Sequence, residues 1–404
     1  MNTRMNRNRL QIGTFILQPY ARTEGHIKDL ADCGIDYVIG MENDRAALDL
    51  FSKYGVGLIL GEFLPFWWGG NGDNAGTMSE KNPLCLYEKA AEDFINHPAI
   101  WGLEAGDEPS ALDFPHYGKV MDLVNRRFPN QFSFLNLYPN YASVAKNSDE
   151  QALNQLGTAT YQEHIAEYVK WVPTDYICYD FYVYSSTVEK AYDNLWTVSD
   201  ACRDYGRSLW ITLQVNASRA ERILSTNNLR FQAYTAMAFG AESIIWSCYT
   251  AGWWHHNVLD ENGNKTEQYD KLKAMNAELR ALSDTYMRYK RLSTHFINFP
   301  TDYRAATKTY SDGYVFDLRS VDNLPLICGT MTERKGNGHA YMLCSCDDPQ
   351  DKAPTENHIA FRTNGRKAIL HRPGGAERLI PDENGACTFT LASNHGAILE
   401  ILES

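Results

Sequence analysis

No run of apolar residues in this 404-residue chain approaches the roughly 20 that a membrane-spanning helix needs, so a helical membrane protein is not expected. Basic residues are also in short supply. Lys and Arg number 38 against 50 Asp and Glu, and the formal charge of −12 argues against nucleic acid or an anionic membrane as partner. Cysteine forms no framework: Cys33, Cys85, Cys178, Cys202, Cys248, Cys328 and Cys387 stand singly, and only Cys344 and Cys346 lie close. That pattern suits reduced, mostly buried thiols and a cytoplasmic protein. No zinc spacing stands out, no Gly-x-Gly-x-x-Gly turn follows the first strand, and no phosphate loop is visible. Neither a metal nor a cofactor is therefore assigned. Arg4, Arg7 and Arg9 open the chain, but no apolar signal core precedes Gln11.

What is present is alternation. Apolar, β-rich runs fall at residues 12–17, 36–40, 55–60, 100–108, 132–138, 176–182, 209–214 and 243–248. Helical periodicity lies between them, near 24–33, 45–54, 86–96, 114–127, 161–171, 187–205 and 229–239, with a last helix near 267–282. Eight strand–helix units predict an α/β protein, a (β/α)8 TIM barrel over residues 1–295. From about Tyr303 the texture changes to short runs punctuated by glycine, which predict a small C-terminal antiparallel β-sandwich over 296–404.

The chain is organised around Ile100-Trp101-Gly102-Leu103-Glu104-Ala105-Gly106-Asp107-Glu108-Pro109-Ser110. A buried strand ends there in two adjacent carboxylates and a proline, which stops the ladder and favours extended geometry at Glu108. In a barrel the C-terminal strand ends converge on one pocket. They supply Glu62, Asp107, Glu108, Asn136, Tyr138, Asp180, Tyr182, Gln214 and Trp246, and the loops add Trp67, Trp68, Trp253 and Trp254. Carboxylates among amides and flat aromatic rings make a carbohydrate-like site, and two carboxyl groups flanking a glycosidic bond are what its hydrolysis needs. Glu104 should lie roughly 13 Å deeper along the strand, as a buried, paired structural carboxylate. His255 and His256 are expected to meet substrate from a loop.

The chain resembles the (β/α)8 glycoside hydrolases of the clan that includes family 42 β-galactosidases, and more closely a bacterial group with Gly-Asp-Glu-Pro at strand four. The matching segments are Trp101-Gly102, Gly106-Asp107-Glu108-Pro109-Ser110, Asn136-Leu137-Tyr138-Pro139-Asn140-Tyr141, Tyr179-Asp180-Phe181-Tyr182, Arg230-Phe231-Gln232-Ala233-Tyr234, Ala238-Phe239-Gly240-Ala241 and Asn262-Gly263. The resemblance implies Glu108 as the acid/base and a sugar 2-hydroxyl contact at Asp107, where the clan has asparagine. It also exposes a departure. The clan's nucleophilic glutamate on strand seven corresponds to Gln214, whose amide cannot attack an anomeric carbon as a carboxylate does.

Asp180 is the best replacement, since Cys178, Asp180 and Tyr182 share a strand face; Glu62 is next. On a regular strand Asp107 would point away from Glu108. A separation of about 5–5.5 Å between the working carboxyls would imply retention, and about 6.5–9.5 Å inversion. The expected activity is thus a glycosidase with Glu108 as proton donor and Asp180 as nucleophile or base. Its substrate contacts are Glu62, Trp67, Asp107, Asn136, Tyr138, Tyr182, Gln214, Trp246 and Trp253. Two alternatives stay open: a carbohydrate-binding barrel that has lost catalysis, and a metal-assisted lyase or isomerase in which Glu62, Asp180 and a histidine meet around one ion. The partner is a carbohydrate substrate, and self-association into a homo-oligomer is common among such acidic barrel proteins.

Overall fold

The structure, a computed structural model, describes residues 5–69, 74–88, 93–142, 155–346 and 355–402. Its first part alternates β1 (Gln11–Phe15), α1 (Glu24–Asp32), β2 (Tyr37–Met41), α2 (Arg45–Tyr54), β3 (Gly57–Leu60), α3 (Met78–Lys81), β4 (Ile100–Asp107) and α4 (Phe114–Arg127). It continues with β5 (Phe132–Leu137), α5 (Tyr161–Trp171), β6 (Tyr176–Asp180), α6 (Val188–Tyr205), β7 (Ser208–Gln214), α7 (Thr226–Ala238), β8 (Ala241–Ser247) and α8 (Glu267–Met287). The eight strands close into a barrel in sequence order, and β1 pairs in parallel with both β2 and β8. The predicted α/β barrel is what forms.

Strands covered on both faces need no polar alternation, and every residue of β3 and β5 is buried. Helix starts are set by side chains that accept otherwise unpaired N–H groups: Thr23 for α1, Asp44 for α2, Thr160 for α5 and Ser225 for α7. One predicted helix, at residues 86–96, does not form as a single element. Leu84–Leu86 and Asp93–Asn96 are separate 3-10 turns, and residues 89–92 lie outside the described residues. The buried Tyr87 ties the first turn to the preceding loop by donating to Pro65 O at 3.1 Å.

The barrel interior is filled by Met5, Tyr37, Ile39, Ile59, Phe132, Phe134, Tyr176, Cys178, Trp210 and Ile245, with Tyr176 stacked on Trp210 at 4.4 Å. Burying each such large side chain stabilises the fold by about 1.5–3 kcal/mol. Side chains of a strand alternate between faces, so the next inward positions are Asn136 after Phe134, Asp180 after Cys178, and Thr212 then Gln214 after Trp210. The apolar plug thus gives way to polar groups at the C-terminal ends.

The chain forms two compact units: residues 1–7, 11–222 and 243–269 in one, and residues 8–10, 223–242 and 270–404 in the other. The second unit contains a seven-stranded sheet of β9 (Tyr289–Ile297), β10 (Ala306–Thr307), β12 (Leu326–Glu333), β13 (His339–Ser345), β15 (Lys367–Arg372), β16 (Gly375–Leu379) and β18 (Gly396–Leu402). Their spatial order is β10-β9-β12-β13-β18-β15-β16, antiparallel except for the short β10 beside β9. Residue 295 lies inside β9. A three-stranded antiparallel sheet of β11 (Phe316–Ser320), β14 (Glu356–Arg362) and β17 (Ala386–Ala392) faces it. Leu343, Leu370 and Leu399 of the large sheet share one core with Ile359, Phe361 and Phe389 of the small one, as the expected sandwich requires. Among the described residues, no helix is long and apolar enough to cross a membrane.

Candidate active site

The site grows from irregularities in β4. Against β3 the register slips at Trp101, and against β5 it slips between Glu104 and Gly106. A bulge adds one residue without advancing the partner strand, so side chains an odd number apart come to share a face. Glu104 lies level with the interior Phe134, and Asp107 level with Asn136. Gly106 is necessary at the bulge: its φ is +151°, and a Cβ there would sit 2.1 Å from the Tyr117 hydroxyl.

Glu108 does not take the extended geometry expected before a proline. Its φ is +43°, in the left-handed region, at a cost of about 1–3 kcal/mol that the surroundings must outweigh. They do so through a strap from the loop after β3 and through the neighbouring β5. Asp107 N–H donates to Trp67 O at 2.8 Å, Gly69 N–H to Asp107 O at 3.0 Å, and Glu108 N–H to Asn136 O at 3.0 Å. Gly69 lies so close that a Cβ would fall 1.6 Å from Glu108 O. The left-handed turn also breaks strand alternation. Asp107 and Glu108 are therefore not held to the opposite faces that a regular strand would give them, and the charge of Asp107 bears on Glu108.

Asn136 ties the acids together. Its Nδ2 donates to Asp180 Oδ1 at 2.7 Å and to Asp107 Oδ1 at 3.1 Å, while its Oδ1 accepts from Cys178 Sγ at 3.5 Å. Asp180 is only 6% exposed, and burial first, then the charge of Asp107, pushes its carboxyl above the usual range. Glu108 is pushed well up by burial and by the charges of Asp180 and Asp107, against which the Trp68 indole N–H donates to its Oε2 at 3.3 Å. Asp107 is raised by burial, opposed by its bond from Asn136. Burial and the charges within this set of three carboxyls all favour the protonated forms, so the set holds protons to higher pH than free carboxyls would.

Phenols surround this set. Burial raises the proton affinity of Tyr138, Tyr141 and Tyr182, and the charge of Asp180 bears on all three, that of Glu108 on the first two. They remain neutral hydrogen-bond donors. Tyr182 also builds an aromatic wall, 4.7 Å from Trp254 and 6.4 Å from Trp253, with Trp253 reaching Phe15 at 6.1 Å.

Other predicted site residues are placed differently. Trp246 is fully buried and lies on the opposite face of β8 from the interior Ile245, so it belongs to the barrel wall and not to the pocket. Trp67 is buried, with Lys81 Nζ 5.6 Å from its ring; its neighbour Trp68, 49% exposed, is the tryptophan at Glu108. Glu62 is exposed, with φ of +59°, and lines a cavity of about 580 Å³ with Glu42, Phe63 and Tyr87. Its charge bears on Glu104. Glu104 is half-buried and, among the described residues, meets no cation, contrary to the paired role expected of it. Burial and the charges of Asp107 and Glu62 push it up to about 8. Gln214 is fully buried and bonds to the chain after β6. His256 Nε2 donates to Ala220 O at 2.6 Å. Among the described residues, no group of three or more His, Cys, Asp or Glu is placed to hold a metal ion.

Tyr141 and Cys178 join the site without having been singled out for it; the Asn-x-Tyr-x-x-Tyr spacing at 136–141 was the available signal. No family model and no curated protein matches this chain. Solved structures do share its architecture. A catalytic mutant of a family 42 β-galactosidase from G. stearothermophilus superposes with a TM-score of 0.56 at 8% identity, covering 98% of each chain. A cycloisomaltooligosaccharide glucanotransferase from Paenibacillus sp. gives 0.56 at 8% identity over 98% of this chain and 85% of its own. At these identities the likeness establishes the fold, one that glycoside hydrolases use.

Proposed function

We propose that this protein is a glycoside hydrolase acting on an oligosaccharide or small glycoside, with Glu108 as proton donor and Asp180 as its partner. The observation that carries the reading is that Asn136 holds Asp180 and Asp107 together at the strand ends, with the charge of both bearing on Glu108. Burial and the charges of Asp180 and Asp107 favour a proton held on Glu108, while the bond from Asn136 favours the ionised form of Asp180. Glu108 gives its proton to the glycosidic oxygen as the C–O bond breaks. The electron-deficient anomeric carbon is then captured by Asp180 itself or by a water from which Asp180 takes a proton. Asp107 accepts a sugar hydroxyl, Tyr138 and Tyr182 donate to others, and Trp68 and Trp253 offer faces to the ring's C–H side.

Hydrolysis of a panel of nitrophenyl glycosides by wild type, Glu108→Gln and Asp180→Asn tests this. Loss in both variants supports the pair, and the anomer of the first product, followed by NMR, separates capture by Asp180 from capture by water. Full activity in Asp180→Asn would remove Asp180 and bring Glu62 forward. A sugar-binding barrel without turnover, the reading that Gln214 favours, requires calorimetric sugar binding with no hydrolysis of any glycoside.

A further inference from the structure

Gln214 occupies the end of β7 and is buried completely, with both ends of its amide engaged. Its Oε1 accepts the Tyr184 backbone N–H at 2.8 Å, and its Nε2 donates to Ser185 Oγ at 3.4 Å. Ser185 Oγ in turn donates to Ser218 Oγ at 2.9 Å, in the loop after β7. The segment so held is a single turn, closed by Ser185 N–H to Tyr182 O at 2.9 Å and Ser186 N–H to Val183 O at 3.2 Å. An isolated turn of this size has little stability of its own. Yet it follows Asp180 by two residues and starts at Tyr182, whose ring packs edge-on against Trp254.

The uncharged amide presents an acceptor to a backbone N–H and a donor to a hydroxyl at once, which an ionised carboxylate of the same shape cannot. A carboxylate at 214 could only accept from Ser185, whose proton would then turn away from Ser218 Oγ, and would add a charge to a mouth that already holds Glu108, Asp107 and Asp180. The amide is therefore matched to the turn.

We propose that Gln214 is a positioning residue that latches the turn after β6 onto the end of β7, and that it takes no bond to the sugar. The second half rests on the hydrolase reading: the carboxyl that serves the anomeric carbon comes from β6, and restoring an acid on β7 does not create a nucleophile. Gln214 acts through Asp180 and Tyr182, by fixing where the chain places them.

The test is amide hydrogen exchange read by mass spectrometry on the full chain, in wild type, Gln214→Ala, Gln214→Glu and Ser185→Ala. The Tyr184 amide is expected to exchange at least about tenfold faster in Gln214→Ala, with the rest of the barrel unchanged. Gln214→Glu keeps an acceptor and should stay within about threefold of wild type, a rescue that a general packing role would not produce. Ser185→Ala removes only the weaker partner and should leave Tyr184 protected. Unchanged Tyr184 exchange in Gln214→Ala overturns the latch. So does a wild-type Tyr184 amide as fast as an unstructured peptide, a result available even where Gln214→Ala does not fold. In parallel, Gln214→Glu is incubated with 2-fluoro glycosides of the panel sugars. A glycosyl adduct on residue 214, or faster hydrolysis than wild type, overturns the second half. If no form hydrolyses any glycoside, the hydrolase reading fails while the exchange data still decide the latch.

Discussion

Replacing Asn136 by leucine removes the one donor that two buried carboxyls share, at nearly constant volume. The bond to Asp180 at 2.7 Å is the shorter, and it favours the ionised acid. A hydrogen bond to a charged group contributes about 1.5–3 kcal/mol, and about 1.4 kcal/mol corresponds to one pKa unit. Loss of the donor therefore raises the proton affinity of Asp180 by about one to two units. Asp180 must be ionised to act, so the acid limb of the kcat/KM profile moves to higher pH by that amount. Activity near neutrality drops roughly tenfold or more, and the optimum moves toward the alkaline limb. The variant should also lose about 1–3 kcal/mol of stability, read by denaturant titration, because the hydrogen bonds of a buried network are gone. The profile of the glycoside found in the panel, measured with both enzymes, decides the matter. An acid limb that does not move would show that Asn136 does not control the working carboxyl.

Trp68→Phe keeps a flat ring but removes the indole N–H from Glu108 Oε2. That bond favours the ionised acid, so the alkaline limb, which reports loss of the Glu108 proton, should move up by up to about one unit in a pH-rate profile. Glu104 is raised to about 8 in the folded chain, so the fold binds more protons than the unfolded chain between the ordinary carboxyl range and that value. Wild type should lose stability relative to Glu104→Gln as pH rises through this window, level off above it, and differ by no more than about 4–5 kcal/mol, as thermal melts across pH would show. Glu400 behaves oppositely. Bonds from His371 Nε2 at 2.9 Å, Tyr289 at 2.6 Å and Arg288 at 2.7 Å, opposed by burial, lower its carboxyl to about 2. It stabilises the fold above the ordinary carboxyl range, and that contribution disappears as pH falls through about 2. Glu400→Gln should cost about 2–3 kcal/mol at pH 7 and little at pH 2 in the same melts.

The barrel is legible because its strands are continuous apolar runs separated by turn residues, and eight such runs alternating with helices admit few architectures. Facing is less legible for the same reason. In a run such as Ser243-Ile244-Ile245-Trp246-Ser247 no polar alternation marks the inward side, so Trp246 reads as well for the pocket as for the wall. The carboxylate doublet is visible in the sequence, but its geometry is not. The slips at Trp101 and Ala105 leave no local mark, and the left-handed Glu108 is held by a strap from the loop after β3, some 40 residues away in the chain. Gln214 reads as a missing nucleophile because nothing local announces its partners at Tyr184 and Ser185.

Glu108 is assigned delivery of a proton to the leaving oxygen, and leaving-group dependence measures that most directly. Glu108→Gln and wild type are compared on a dinitrophenyl glycoside, whose leaving group needs no proton, and on the alkyl glycoside of the same sugar. Glu108→Gln is expected to keep most of its bond-cleavage rate on the first and to lose about 10²–10⁴-fold on the second. Equal losses on both substrates, or none on the alkyl glycoside, would contradict it.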